Sequence, residues 1–226
     1  MDFAYTYTKD QEEFRQEVRT WLEENIPEKM KAPVDRLDLS EEHYTFWRAM
    51  HQVLAEKGWL YPTYPKEYGG GGLSGEHETI ITEEFERAKV VGDFTQSFIY
   101  PTLLVWATEE QKQKFLKPIL KAEKVAFQNF TEPNAGSDLA SLSTRAVRDG
   151  DDLVINGAKV WTTMAHRADW IMLLTRTDPD APKHRGISFV LVDMKSPGVS
   201  VRPIINMADG HEFNQVTFDD VRVPRA

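Results

Sequence analysis

Cysteine is absent from the 226 residues. That excludes a disulfide framework, a thiolate metal site and a cysteine nucleophile, and it fits a reducing, cytoplasmic setting. No apolar run approaches the ~18 residues of a membrane span. The opening MDFAYTYTKDQEEF has neither a basic n-region nor an apolar h-region, so no signal peptide is expected. Basic excess is lacking too: 27 Lys and Arg stand against 36 Asp and Glu, a formal charge of −9. A chain this acidic, without a basic cluster, excludes nucleic acid as a natural partner. The six histidines (His43, His51, His77, His166, His184, His211) show no metal-ligand spacing, so no metal is expected. Of these, His166 alone stands close to a candidate site. What the chain does have is 41% hydrophobic and 11% aromatic residues, enough for a real core in one large domain or two ordinary ones.

The pattern changes near residue 125. Up to Lys124 there are 16 basic and 23 acidic residues with apolar positions at helical spacing; beyond it there are 11 and 13, and the pattern turns β-like. Helices are predicted over Lys9–Asn25 (Phe14, Val18, Trp21 and Leu22 on one face), from a Ser40 cap to about Lys57, after a Ser74 cap, and over the apolar stretch Phe94–Ala107. Thr108-Glu109-Glu110-Gln111 reads as a capping box opening a last helix, with Pro118 set to kink or shorten it. Gly69 to Gly72 reads as a flexible inter-helix turn, because no strand precedes it and no Gly-Lys-Ser/Thr follows it. About seven short strands follow, with Asn156-Gly157 as a hairpin turn, which predicts an antiparallel sandwich or barrel. The fold class is therefore α+β: an all-α domain over 1–124, then a β-sandwich or barrel over 125–226.

Two strings invite chemistry. Phe130-Thr131-Glu132-Pro133-Asn134-Ala135-Gly136-Ser137-Asp138 leaves a strand and ends in small residues whose N–H groups suit an anion nest. Val160-Trp161-Thr162-Thr163 ends a strand in an aromatic face and two hydroxyls, against which a planar cofactor fits.

Together these strings resemble the acyl-CoA dehydrogenase family: the first its Thr-Glu-Pro-x-Ala-Gly-Ser-Asp signature, the second its Trp-x-Thr segment. Lys57-Gly58-Trp59, Pro65-Lys66-Glu67-Tyr68-Gly69-Gly70, Thr108-Glu109-Glu110-Gln111-Lys112 and Phe218-Asp219-Asp220-Val221-Arg222-Val223-Pro224 follow in the family's order, so the resemblance covers essentially the whole chain. It implies an FAD-dependent oxidoreductase of fatty acid metabolism that acts on an acyl-CoA substrate. It also implies an electron-accepting flavoprotein as partner and a homo- or hetero-oligomer. By the same resemblance Gln128, Phe130 and Thr131 line the flavin edge. Gly136 and Ser137 bind the phosphate region of FAD, and Ser137 also the acyl-CoA. Trp161 packs on the flavin, and Thr163 donates its hydroxyl to flavin N5. Phe130 and Met164 depart from the family, which often has an aliphatic residue at the first position and Asn or Ser at the second.

The family's third, helical domain would follow Ala226, and in most members it carries the catalytic glutamate. No catalytic base is therefore assigned in this chain, and Glu132 is read as structural. Two alternatives stay open: a non-catalytic or weakly flavin-binding partner module, and a flavin monooxygenase of the same fold. Apolar surface left by the absent bundle is expected to drive self-association.

Overall fold

The computed structural model describes residues 6–31 and 39–225. It divides into two compact units: the chain up to Asp93 with Lys112–Glu123, and Phe94–Gln111 with the chain from Lys124 onward.

The first unit is helical. α1 (Lys9–Asn25) starts at a reciprocal cap: Gln11 N–H donates to Thr8 Oγ1 and Thr8 N–H to Gln11 Oε1. α2 (Glu41–Glu56) is capped by Ser40, which accepts from His43 N–H, and Gly58 at φ +71 lets the chain leave left-handed. α3 (Gly75–Arg87) follows Ser74, whose hydroxyl bonds Glu76 and His77 side chains instead of capping the backbone. The predicted α1 face is borne out, with Val18 and Leu22 buried, and Trp47 on α2 is fully buried with its Nε1–H on Met30 O at 2.8 Å. Emptying a site like Trp47 costs about 3–5 kcal/mol.

α1 and α3 also share a buried ion cluster. Glu84 on α3 takes Arg19 at 2.7 Å, Arg87 at 2.7 Å and Arg15 at 3.2 Å. Burial alone would raise this carboxyl, but the bonds from Arg19, Arg87 and Arg15 outweigh it and hold the group down to about 2. His51 on α2 is buried against Val91 O at 2.9 Å, and burial lowers it to about 4, so it folds neutral.

The glycine run is packed, contrary to the flexible turn expected. A Cβ on Gly70 would enter the Tyr64 carbonyl, and one on Gly71 the Gly58 carbonyl. Glycine stands there because two backbones touch.

Within the second unit, α4 (Ile99–Trp106) is shorter than the stretch read from sequence, and its end exposes Val105 and Trp106. The Thr108–Gln111 capping box forms as expected and opens α5 (Glu109–Gln111). The chain then re-enters the first unit with a π-turn, Lys112–Leu116, followed by α6 (Lys117–Leu120) with Pro118 in its first turn. Proline lacks the N–H that an unbroken helix would need, and the widened turn absorbs that loss.

Seven strands make one curled sheet: β1 (Ala126–Asn129), β2 (Arg145–Asp149), β3 (Asp152–Thr163), β4 (Trp170–Arg176), β5 (Ile187–Asp193), β6 (Val199–Ile204) and β7 (Phe213–Pro224). The order is β1-β4-β2-β3-β7-β6, with β5 on β4. Most pairings are antiparallel, but β1 runs parallel to β4, and β2 takes over the same edge at Arg176. The α+β class stands, while the hairpin at Asn156-Gly157 does not. β3 runs straight through it, and the tight turn is Gly150-Asp151, between Asp149 and Asp152, with Gly150 at φ +63. Asn156 instead exchanges two bonds with Asp220: its Nδ2–H donates to Oδ1 at 2.9 Å and its Oδ1 accepts Asp220 N–H at 3.0 Å. The register shifts there, which makes the pair a bulge.

Candidate functional site

The site forms where β1 and β3 end. Val160 N–H donates to Thr131 O at 2.9 Å, so the two ends lie side by side. Beneath them Lys159, fully buried, reaches Phe130 O at 3.0 Å and Glu132 Oε1 at 2.9 Å. Glu132 also accepts from Ser143 N–H at 2.7 Å, Ser143 Oγ at 2.8 Å and Thr144 N–H at 2.8 Å. Burial raises this carboxyl, but Ser143, Thr144 and Lys159 together bring it down to about 2. The Lys159 ammonium is lowered by its own burial, with Glu132 opposing. A charge this deep stays folded only with its partner, so the pair pins the Thr131-Glu132-Pro133 exit to β3. The structural reading of Glu132 agrees with this geometry.

Trp161 sits at φ +59 inside a register shift between Lys159 and Thr162. Such a bulge re-aims a side chain, and here the indole stands 58% exposed, edge-on to Phe213 with centroids 6.0 Å apart. Met164 at φ +54 ends the strand end's course and starts a short turn, Ala165–Arg167. Two non-glycine residues in the left-handed region bracket Thr163. Strain of this kind, about 1–3 kcal/mol per residue, tends to be kept where a site needs it.

Gln128, Phe130, Thr131, Trp161 and Thr163 are thus brought together. Phe130 leans on Phe98 at 6.0 Å, and Gln128 N–H donates to Gln96 Oε1 at 2.7 Å. The hydroxyls of Thr131 and Thr163 and the Gln128 amide side chain make no hydrogen bond among the described residues, and each is part-exposed. They remain available to a polar ligand edge. Gly136 and Ser137 lie further on, exposed, beyond the Glu132–Ala135 bridge. The N–H groups of Gly136, Ser137 and Asp138 meet no acceptor among the described residues, which keeps the anion-nest geometry open. Lys183 Nζ lies 3.2 Å from Asp138 Oδ2. A cavity in the helical unit, lined by Tyr7, Gly75, Glu76, Thr79 and Glu83, contains none of these residues.

Sequence reasoning passed over the buried polar residues underneath. Thr162 Oγ1 donates to Asn129 Oδ1 at 2.7 Å, and Asn214 Nδ2–H donates to Thr162 O at 3.1 Å. The signal was present in Lys159 and Asn129, polar side chains inside apolar strands, where burial demands a partner. No helix among the described residues is long and apolar enough to cross a membrane.

Comparison with known proteins identifies the family of the two units. The family profile described as "Acyl-CoA dehydrogenase, N-terminal domain" matches residues 8–123, and "Acyl-CoA dehydrogenase, middle domain" matches 128–221. Acyl-CoA dehydrogenase IpdE1 of Mycobacterium tuberculosis is 41% identical over 219 residues, which is 95% of this chain and 57% of that protein. Acyl-CoA dehydrogenase FadE29 of the same organism is 43% identical over 96% of this chain and 55% of its own. The solved structure titled "Tcur3481-Tcur3483 steroid ACAD" superposes with a TM-score of 0.83 at 39% identity, over all of this chain and 57% of that one. The ChsE4-ChsE5 complex from Mycobacterium tuberculosis gives 0.79 at 36%, over 99% and 56%. The chain spans a little over half the length of the relatives it matches.

Proposed function

We propose, from the acyl-CoA dehydrogenase family to which this chain belongs, that it supplies the flavin-holding part of an FAD-dependent enzyme oxidising an acyl-CoA thioester between its α and β carbons. The observation that carries this reading is the joined strand ends, which set an exposed indole beside hydroxyls that no other described residue engages. Bound FAD supplies the hydride acceptor, N5. The residues present fit it. The Trp161 face accepts a flat ring, Gln128 and Thr131 offer donors and acceptors for a polar edge, and the Gly136–Asp138 N–H groups suit phosphate.

The role that the family resemblance gives Thr163 suits its chemistry. A neutral hydroxyl donating to N5 would favour charge arriving there and would not itself take the substrate's proton. The base that removes the α-proton is not assigned to any residue here. The two most buried carboxylates among the described residues are held well below the usual range, Glu84 by Arg19, Arg87 and Arg15, and Glu132 by bonds from Ser143, Thr144 and Lys159, the opposite of what a base needs. The solved structures titled for the ChsE4-ChsE5 complex and the Tcur3481-Tcur3483 steroid ACAD name paired chains, which supports a second chain as partner, and the latter title supports an acyl group of the steroid class.

Titration with FAD is the first test: a yellow protein with flavin absorbance is expected. Anaerobic mixing with straight-chain and steroid-derived acyl-CoAs, alone and with a partner chain, should then bleach that absorbance. Thr163→Val should slow bleaching by at least about tenfold, the loss of one hydrogen bond to developing charge, while FAD stays bound. A colourless protein that no FAD reconstitutes refutes the reading and favours a flavin-free partner module.

A further inference from the structure

The polar residues behind the strand ends form one connected line. Thr162, only 2% exposed, bonds Asn129 through its hydroxyl and Asn214 through its carbonyl. Asn214, fully buried on β7, is in register with Thr162. Its amide meets two imidazoles: Oδ1 is 2.8 Å from His211 Nε2, and Nδ2 is 3.2 Å from His166 Nδ1. The two rings stack at 4.0 Å with 22° between planes.

The hydrogen-bond pattern leaves one arrangement. A flipped Asn214 would turn Oδ1 onto the Thr162 carbonyl, acceptor against acceptor. With Nδ2 on Thr162 O, the same group faces His166 Nδ1, which must accept and leaves the ring proton on Nε2. Oδ1 then requires a proton on His211 Nε2. These tautomers are assigned from the network. The Thr162 carbonyl therefore sets the orientation of the amide, and the stacked rings hold it there through one bond each. Thr162 lies between the two residues the proposed function relies on, Trp161 and Thr163.

We propose that Asn214 and Thr162 are positioning residues: they set the Trp161–Thr163 strand end for the flavin ring, and the His166–His211 stack fixes Asn214. This rests on the flavin reading above. Neither residue touches the ring; each acts through the backbone of the strand end. The line crosses three strands, from Asn129 on β1 through Thr162 on β3 to Asn214 on β7, so its loss loosens both sides of the cradle together. A carbonyl released by Asn214 would free the residue before Thr163, and a released hydroxyl would free the residue before Phe130.

The experiment uses the full chain. Thr162→Val keeps shape and removes the donor, Thr162→Ser restores it, and His211→Phe keeps the stack while removing the bond to Asn214. In FAD-free protein, amide exchange at Val160 and Met164, whose N–H groups bond Thr131 O and Glu212 O, should speed up about tenfold in Thr162→Val. Exchange in the β4–β5 pair should be unchanged. With FAD, the dissociation constant should rise about tenfold, one hydrogen bond's worth. The visible spectrum and midpoint potential of the flavin that still binds should move in the direction Thr163→Val moves them. Thr162→Ser should return both, and His211→Phe should give a smaller change of the same sign. A lower melting temperature with an unaltered flavin spectrum would reduce the line to a structural tether and overturn the proposal. If the parent binds FAD and the variants match it in affinity and exchange, the inference fails and the function stands. If the parent binds no FAD, the functional reading falls first and takes this one with it.

Discussion

At the scale of single residues, burial decides what a titratable group can do. His51 lies beside Val91 O, lowered by burial to about 4 from an ordinary 6.5. The folded state refuses a proton that the unfolded chain accepts. Stability is therefore full above pH 6.5 and declines as pH falls from 6.5 toward 4. Between pH 6.5 and 5 the loss is on the order of 1–2 kcal/mol. Urea melts across that range should show it, and His51→Gln should flatten the slope. A slope unchanged in the variant would place its origin elsewhere. Glu84 and Glu132 act in a lower window, below about pH 4.5, where their depressed carboxyls begin to lose their advantage over the unfolded chain. Histidine spacing in the sequence had excluded a metal site without indicating that His51 would be buried or that His166 and His211 would stack. Stacking depends on β7 bringing residue 211 beside residue 166, a contact that local pattern does not encode.

At the scale of elements, what is local was legible. The α1 span, the Ser40 and Thr108 caps and the Gly58 exit follow from short-range rules, and the structure has each of them. The Asn156-Gly157 turn failed because the dipeptide serves a partner outside its own strand. Asn156 bonds Asp220, and Gly157 lies against Thr144, leaving 2.5 Å from an added Cβ to Thr144 Oγ1 and 2.8 Å to its Cα. Turn statistics cannot see that approach. Gly157→Ala should therefore cost about 1–3 kcal/mol, because backbone must move as well as side chain. Gly150, at the actual turn, has open space around an added Cβ and meets only the left-handed penalty, about 1–2 kcal/mol. Urea midpoints of the two alanine variants compare them directly, and Gly157→Ala falling short of Gly150→Ala would contradict the bulge argument. The candidate site divides the same way. Phe130, Thr131, Trp161 and Thr163 were readable from two strings and Gln128 from the family resemblance, while the roles of Asn129, Lys159, Thr162 and Asn214 became visible only when strands distant in sequence met.

At the scale of the molecule, two opposed surface properties set how the chain behaves in solution. The formal charge of −9 favours separation between copies. Against it, the second unit exposes Val105 at 67%, Trp106 at 82% and Met207 completely. Large apolar groups in this state are where a protein associates. Val105 and Trp106 both stand exposed in the last turn of α4. Charge repulsion between copies is screened over about 10 Å at 0.1 M salt, whereas burial of an indole is not weakened by screening. Self-association should therefore increase with salt, visible as rising mass in light scattering coupled to sizing. Val105→Lys with Trp106→Lys should suppress it and lower the binding of an apolar dye. The paired variant should leave FAD uptake unchanged, since neither residue belongs to the joined strand ends. A monomer at every salt concentration, with no dye bound by the parent chain, would show that charge alone governs the surface.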